Sequence, residues 1–367
     1  MRGERRAAIY KTLARKRLSR TFSSFTWWLE VDQVREALRR IDKKKPAVPI
    51  PLSFDDELKH IWGKRWGAQS EIGRLREVLV QRPGPEIAPP KEDWRWFGMK
   101  SAPDAKKAAE QHDRFVEVMK KEGVKVYDMK APPMARGPYA VLQGLWGTRD
   151  FGFVVNGGAI VHRMSLPWDR GGEVWWAKRV MELGCPILYT VRGSGTFEGG
   201  NVVWLDPAHV CIGKSIRTNQ EGIDQVSRVL ESVGVEEIKV VSIPGWLENT
   251  DWPAGGFAHL DCVFGYVDDG LALIYPPGVP YDFLEYLREK EINLIEVPPE
   301  EGKDYACNTL ALEPGKVMML DGFALTRRRL EKEGVDVIAV DMGEFIKAGG
   351  GPHCATAPLI RDPGPRL

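Results

Sequence analysis

The sequence of 367 residues lacks long hydrophobic runs, a strong net charge and a rich cysteine content. No apolar run approaches the ~20 residues that a membrane-spanning helix needs. The 52 basic and 51 acidic side chains leave a formal net charge of +1, so no overall field attracts nucleic acid or an anionic membrane. We therefore expect a protein without membrane or nucleic-acid partners.

The cysteines and the common site motifs exclude several further classes. The five cysteines form no Cys-x-x-Cys pair, and their odd number argues against a disulfide framework. The first residues lack the apolar segment of a secretory signal, so we expect a cytoplasmic protein. Zinc-type spacing, a Gly-rich phosphate loop and a Gly-x-Ser-x-Gly elbow are also missing. We predict no cofactor and no metal.

The apolar content, 43% of the residues, is enough for a sizeable core, but the first 70 residues differ from the rest. Residues 1–20 carry eight basic side chains against one acid, Glu4. Helical periodicity over residues 27–40 is followed by Pro46, Pro49 and Pro51, which form a semi-rigid connector. We predict a basic, helical N-terminal extension with its connector at 1–70 and one catalytic domain at 71–367.

From residue 71 onward, a unit of a β-hairpin, an amphipathic helix and a third short strand recurs. Hairpins start at residues 151, 202, 262 and 309, and a looser first unit begins near residue 76. In the second unit, a helix over 172–183 places Val174, Ala177 and Met181 on one face. The segment 84–103, rich in Pro and Trp, is too long for a simple turn, and we interpret it as a lid.

Five such units cannot bury their apolar faces alone, so they should stack, most simply in a closed ring. A ring also leaves no exposed strand edges. The alternative, an open α/β sheet, fits less well because the hairpins make local antiparallel pairs. We predict an α/β fold, a five-bladed propeller of ββαβ-type repeats.

Polar motifs at the boundaries of the repeats carry the candidate chemistry. Cys354 follows glycines that open space around its thiol, although a cysteine is also a common core residue. His259 and Asp261 point to the same side at strand spacing. With Glu198 and Asp150 they form a group of three carboxylates, a histidine and a thiol. Crowded carboxylates favour a cationic ligand, and a guanidinium offers paired donors and an electrophilic carbon for a thiolate.

The ordered motifs resemble those of the guanidino-group-modifying enzymes: arginine deiminase, dimethylarginine dimethylaminohydrolase and the amidinotransferases. The motifs are Thr148-Arg149-Asp150, Phe197-Glu198-Gly199-Gly200, Ile216-Arg217-Thr218-Asn219, His259-Leu260-Asp261 and Gly350-Gly351-Pro352-His353-Cys354. The resemblance spans about residues 71–367 and implies a five-bladed α/β propeller of the pentein type. Asn201 departs from it, because many members have Asp there.

The resemblance also implies the role of each residue. Cys354 would attack the guanidinium carbon, and His259 would protonate the departing ammonia and later activate water. Glu198 would assist proton transfer and hold the guanidinium, while Asp150 and Asp261 would hold its nitrogens. The resemblance further implies that two arginines hold a substrate carboxylate; these are Arg217 and Arg170.

We therefore expect a small-molecule guanidino substrate, with L-arginine converted to citrulline and ammonia through an S-alkylthiouronium intermediate. Further processing to ornithine stays open. The alternatives are an amidinotransferase that uses an amine acceptor, a dimethylarginine dimethylaminohydrolase, and a non-catalytic arginine-binding propeller whose basic N-terminus engages RNA or another partner. The sequence leaves the oligomeric state open, a homo-oligomer included.

Overall fold

A computed structural model describes residues 53–90, 93–133, 142–245 and 257–367, together with Glu36 and Arg39, which are helical. The rest of the predicted N-terminal helix and the proline connector lie outside the described residues. Residues 53–367 form one compact unit. This unit begins before the predicted boundary and includes the buried Trp66. The boundary between residues 70 and 71 stays a prediction. Within the described ranges, no helix is long and apolar enough to cross a membrane.

Fifteen strands form five three-stranded sheets in this unit, and each sheet has one antiparallel and one parallel strand pair. The strands are β1 (Leu75–Val80), β2 (Lys125–Asp128), β3 (Gly152–Val155), β4 (Gly158–Val161), β5 (Ile187–Thr190), β6 (Val202–Trp204), β7 (His209–Lys214), β8 (Glu237–Ser242), β9 (Phe264–Asp268), β10 (Leu271–Ile274), β11 (Asn293–Glu296), β12 (Leu310–Glu313), β13 (Lys316–Leu320), β14 (Asp336–Val340) and β15 (Ala357–Arg361).

Helices connect the central strand of each sheet to its parallel neighbour, since parallel strands need a crossover. The helices are α1 (Phe54–His60), α2 (Ala105–Lys121), α3 (Gly172–Glu182), α4 (Gln220–Ser232), α5 (Tyr281–Glu289), α6 (Pro299–Gly302), α7 (Ala324–Lys332) and α8 (Gly343–Ala348). The crossovers are α2, α3, α4, α5 and α7. The α/β fold is confirmed, and the sheets are compatible with the predicted ββαβ repeat.

The first unit differs from the others because its antiparallel strand comes from the far end of the chain. β1 pairs with β15, with Leu79 opposite Ala357, and β2 runs parallel to β1. Neighbouring sheets also contact one another, β15 against β3, β6 against β9, β9 against β12 and β12 against β1. The five-bladed propeller is compatible with these contacts and stays a prediction.

Helix α3 buries a different face from the one its predicted pattern suggested. Val174 and Met181 are 63% and 59% exposed, whereas Trp176 and Val180 are fully buried. The last two are four residues apart and therefore lie one above the other on the helix. The indole packs against the backbone of Gly152, where an added Cβ would lie 2.6 Å from the ring. The larger aromatic surface therefore determines which face the core covers.

Candidate active site

Three short 3-10 turns present the predicted motifs, and each turn leads into the first strand of a sheet. They span Thr148–Phe151, Gly199–Asn201 and Leu260–Cys262, before β3, β6 and β9. The first and second turns contact each other, as do the second and third. Motifs whose turns begin 51 and 61 residues apart in sequence thus lie side by side.

A cavity of about 120 Å³ lies beside these turns. Four predicted residues line it: Asp150, Arg217, His259 and Cys354. Aromatic side chains form much of the remaining wall: Phe97, Trp146, Trp168, Phe257 and Tyr305. Phe97 belongs to the segment interpreted as a lid, and its ring contacts that of Trp168. A polar group at the reacting end and an apolar wall are typical of a small-molecule site.

The thiol of Cys354 lies at the cavity with only 4% of the residue exposed. Asn308 donates a hydrogen bond from Nδ2 to Sγ at 3.1 Å, and Asp261 Oδ2 lies 3.6 Å from Sγ. Burial, together with the charges of Asp261 and Asp150, raises the pKa of Cys354. A Cβ on Gly350 would lie 3.0 Å from Sγ and 2.7 Å from Trp146, so this glycine leaves the space that the thiol occupies.

His259 and Glu198 form a buried charged pair. The Nε2 atom of His259 lies 2.9 Å from Oε2 of Glu198, and its Nδ1 lies 3.8 Å from Oδ1 of Asp150. Burial alone would lower the pKa of His259, but the two carboxylates outweigh it and raise the pKa to about 9. Burial would likewise raise the pKa of Glu198, yet Arg217 and His259 lower it to about 2. His259 is therefore a cation and Glu198 an anion at neutral pH.

Asp261 belongs to a second buried network, in which His353 joins two carboxylates. His353 Nδ1 lies 2.7 Å from Asp261 Oδ2, and its Nε2 lies 3.0 Å from Glu71 Oε2. Burial would raise the pKa of Asp261, but His353 outweighs it and lowers the pKa. Arg149 donates from Nε to the carbonyl of His353 at 2.8 Å. The network holds Asp261 ionised beside the thiol.

Asp150 accepts a hydrogen bond from the backbone of Gly200 at 2.9 Å. Burial raises its pKa to about 6, against the opposing effect of His259. An added Cβ on Gly200 would lie 2.7 Å from His259 Nδ1, which explains the second of the two glycines after Glu198. These contacts place Asp150 and His259 at one end of the cavity, while the fully buried Glu198 bonds His259 and does not line it.

The two arginines predicted to hold a carboxylate lie in different surroundings. Arg217 lines the cavity, and its Nη1 lies 3.2 Å from Glu198 Oε2 and 3.3 Å from Asp169 Oδ2. Arg170 instead donates to the carbonyls of Met164 and Ser165. It is not among the residues that line the cavity. Both roles stay predictions, and the geometry supports Arg217 over Arg170.

Residues 145–282 and 281–361 match the family model for arginine deiminase. The chain belongs to the arginine deiminase family. A Bacillus subtilis (strain 168) protein, YkgA, whose function is uncharacterised, is 32% identical over 70% of this chain and 81% of its own. A 2-nitroimidazole nitrohydrolase from Mycobacterium sp. (strain JS330) is 29% identical, over 81% of this chain and 82% of its own. An arginine deiminase from Rhodococcus opacus (strain B4) is 26% identical, over 81% of this chain and 98% of its own.

Solved structures of guanidino-modifying enzymes share the fold. The N-terminal domain of the cyanobacterial arginine dihydrolase ArgZ, bound to product, superposes with a TM-score of 0.65 at 19% identity, covering 80% of this chain and 100% of its own. Dimethylarginine dimethylaminohydrolase from Pseudomonas aeruginosa superposes with a TM-score of 0.63 at 23% identity, covering 77% of this chain and 99% of its own. The amidinotransferase SxtG from Microseira wollei gives 0.63 at 18%, covering 81% and 97%.

Within this family member, sequence reasoning missed three residues that contact the predicted ones. Asn308 bonds the thiol, Glu71 bonds His353, and Asp169 bonds Arg217. Asp169 directly precedes Arg170, so the prediction selected Arg170 and missed Asp169, the residue next to it that bonds Arg217. Glu71 and Asn308 belong to no motif, and only the fold brings them to the site.

Two groups of side chains in the described ranges place potential metal ligands close together. The ligand atoms of Asp150, Glu198 and His259 lie within 4.8 Å of one another, and so do those of His259, Asp261 and Cys262. In the first group, Glu198 already bonds His259 through one oxygen and Ser165 through the other. Hydrogen bonds therefore engage both carboxylate oxygens of Glu198, and the absence of a metal requirement stays a prediction.

Proposed function

We propose that the protein is a hydrolase in which Cys354 attacks the central carbon of a guanidino group, with L-arginine converted to citrulline and ammonia. One observation carries the proposal: a thiol, a cationic histidine and ionisable carboxylates surround one small cavity. A cytoplasmic location accompanies this proposal as a prediction.

Substrate binding would prepare the nucleophile. The pKa of Cys354 is raised in the empty site because Asp261 and Asp150 face it. A guanidinium held between these two carboxylates neutralises them and favours the thiolate. It also brings the electrophilic carbon beside Sγ, within a site that aromatic side chains shield from water. The cationic substrate thereby assists the ionisation of the thiol that attacks it, and the thiol proton passes to bulk water as the substrate binds.

His259 would act first as an acid and then as a base. The thiolate forms a C–S bond, and protonated His259 donates its proton to the nitrogen that leaves as ammonia. The now neutral His259 removes a proton from water, which adds to the carbon of the S-alkylthiouronium. Collapse of this adduct breaks the C–S bond, and the hydroxyl proton passes to the departing sulfur, which restores the thiol and leaves a neutral ureido product. Glu198 keeps the imidazole oriented throughout.

Three alternatives from the motifs use the same site. An amidinotransferase replaces water with an amine at the second step, and a dimethylarginine dimethylaminohydrolase releases dimethylamine. A binding-only protein holds arginine without reacting. The thiol of Cys354 and the imidazole of His259 line the same cavity, which favours a reactive site over the binding-only alternative.

The aromatic wall supports a second candidate, a nitroimidazole hydrolase. The relative at 29% identity carries the name 2-nitroimidazole nitrohydrolase. In 2-nitroimidazole, C2 is bonded to three nitrogens, two in the ring and that of the nitro group, and the guanidinium carbon is also bonded to three nitrogens. Attack by Cys354 would displace nitrite, and water would then release the ring as its 2-oxo product. Trp168 and Phe97 offer flat surfaces for a heteroaromatic ligand.

Incubation of the purified protein with L-arginine tests the proposal. We expect citrulline and ammonia in equal amounts and no turnover in Cys354→Ser, since a hydroxyl is a far weaker nucleophile here. Cys185→Ser, a buried thiol in the core, is the matched control and should retain activity. Nitrite release from 2-nitroimidazole would favour the second candidate. Turnover that survives in Cys354→Ser would contradict both mechanisms.

A further inference from the structure

A set of buried polar atoms at the cavity has no partner among the described residues. They are Nε2 of Gln143, Oδ1 of Asp169 and Nε of Arg217; Nε1 of Trp146, which lines the cavity near Cys354, also lacks a partner. Gln143 and Asp169 are 5% and 7% exposed, and they line the cavity together with Arg217. A buried polar atom without a partner is destabilising, so the atoms of Gln143, Asp169 and Arg217 point to a ligand that satisfies them.

The fold makes room for the carboxylate of Asp169. It lies in the turn before α3, where its backbone N–H donates to the carbonyl of Leu166 and its carbonyl accepts from Gly172. A Cβ on Gly144 would lie 2.2 Å from Asp169 Oδ1. A side chain at 144 would therefore displace the carboxylate from the cavity wall.

The charge of Arg217 is already shared between two carboxylates. Its Nη1 contacts both Glu198 and Asp169, which leaves Nε for a ligand. A ligand that offered only a carboxylate at this end would bring its charge beside that of Asp169. A ligand that offered only an amine would leave the donors of Gln143 and Arg217 unfilled.

The complement of one acceptor and two N–H donors is a group that both donates and accepts. An α-amino acid has this character, with an ammonium that donates and a carboxylate that accepts. Burial raises the pKa of Asp169 to about 7 even though Arg217 opposes the rise. An ammonium at Oδ1 would supply the further positive charge that keeps this carboxylate ionised.

We infer that Asp169 determines specificity by binding the α-ammonium of an amino-acid substrate, while Gln143 and Arg217 bind its α-carboxylate. This inference rests on the proposed function, because the same ligand must place its guanidino group beside Cys354. Asp169 and Glu198 share a single nitrogen of Arg217, so the two ends of the site are close together. In arginine, four bonds separate the α-carbon from the first guanidino nitrogen, so one molecule can reach both ends of the site.

Binding to the Cys354→Ser variant tests the inference without turnover. The probes are L-arginine, agmatine (arginine without its carboxylate) and 5-guanidinopentanoate (arginine without its amine), measured by titration calorimetry. L-arginine should bind at least tenfold more tightly than either analogue. Adding Asp169→Asn should weaken L-arginine and agmatine at least tenfold and leave 5-guanidinopentanoate as tight or tighter, because a repulsive charge is removed.

Glu173→Gln is the matched control, because Glu173 is a partly buried carboxylate that accepts from Gly171 in the same turn and does not line the cavity. It should leave all three affinities unchanged. Equal binding of L-arginine and 5-guanidinopentanoate would overturn the assignment, and this comparison does not depend on how well Asp169→Asn folds. Equal weakening of all three probes by Asp169→Asn would overturn it as well.

Ammonia release by the unmodified enzyme separates this inference from the proposed function. Equal turnover of L-arginine and 5-guanidinopentanoate, which lacks the amine, would support the hydrolase and refute the role of Asp169. Binding of L-arginine that depends on Asp169, without ammonia release from any probe, would refute the hydrolase and support the ammonium site. Neither binding nor turnover with the three probes would overturn both.

Discussion

Glu198→Gln should shift the titration of His259 to lower pH. In the intact site, the carboxylate of Glu198 lies 2.9 Å from His259 Nε2 and helps to raise the pKa of that histidine from 6.5 to about 9. The amide keeps the shape of the side chain and removes its charge. It also leaves the positive charge of Arg217, 3.2 Å from Glu198 Oε2, without one of its two partners. Both effects disfavour the imidazolium.

The size of the shift follows from the bond that is lost. A hydrogen bond to a charged group contributes about 1.5–3 kcal/mol, and a pKa change of one corresponds to about 1.4 kcal/mol. We therefore expect the pKa of His259 to fall by about 1 to 2 pH units. Because the folded pKa of about 9 lies above the reference value of 6.5, protonated His259 stabilises the fold fully below pH 6.5. That contribution is lost as the pH rises through 9, and Glu198→Gln should lose it at lower pH.

NMR titration of protein labelled at its histidine rings measures this pKa without any substrate. The sequence has six histidines, and His259→Asn identifies the signal. Glu237→Gln is the control, because Glu237 lies on β8 and pairs with Lys290. It should leave the His259 titration in place. A midpoint for His259 that is the same in Glu198→Gln and in the unmodified protein would refute the charged pair.

Three further predictions follow from the same contacts. His259→Ala should stall the reaction at or before release of the intermediate, and intact-mass analysis checks whether a covalent adduct accumulates. Rapid product formation by this variant, without an adduct, would contradict the acid–base role of His259. Treatment with EDTA should leave activity unchanged, whereas a loss reversed by added metal would assign an ion to the group around Asp150. Trp176→Ala should destabilise the fold by about 3–5 kcal/mol in urea unfolding because it empties a core position. The exposed Val174→Ala should change stability by less than about 0.5 kcal/mol, and similar losses in both would contradict the observed face of α3.

Much of the fold could be predicted because each unit repeats a local pattern. Ile223, Val226 and Leu230 recur at helical spacing, and all three are buried on α4. The pairing of β1 with β15 could not be predicted in the same way, since periodicity carries no information about a partner at the other end of the chain. The buried face of α3 was missed because one indole outweighs several small apolar side chains.

The residues of the candidate site that belong to sequence motifs could be predicted, whereas those outside the motifs could not. Asp150, His259 and Cys354 line one cavity because each lies at the same end of a repeat or beside it. Asn308 and Glu71 contribute single side chains without a sequence pattern, and their partners are 46 and 282 residues away. Such contacts depend on tertiary packing, which local spacing cannot encode.

The strand pair β1–β15 has a consequence for how the enzyme matures on the ribosome. Cys354 lies just before β15, so the pairing of β15 with β1 helps to fix its loop, together with the hydrogen bonds to Asn308 and Arg149. A nascent chain that has not yet released β15 would carry an unpaired strand edge at β1, which is prone to aggregation. It would also hold its carboxylates and histidine without a fixed thiol. The arrangement of thiol, histidine and carboxylates would therefore be complete only after β15 has paired with β1.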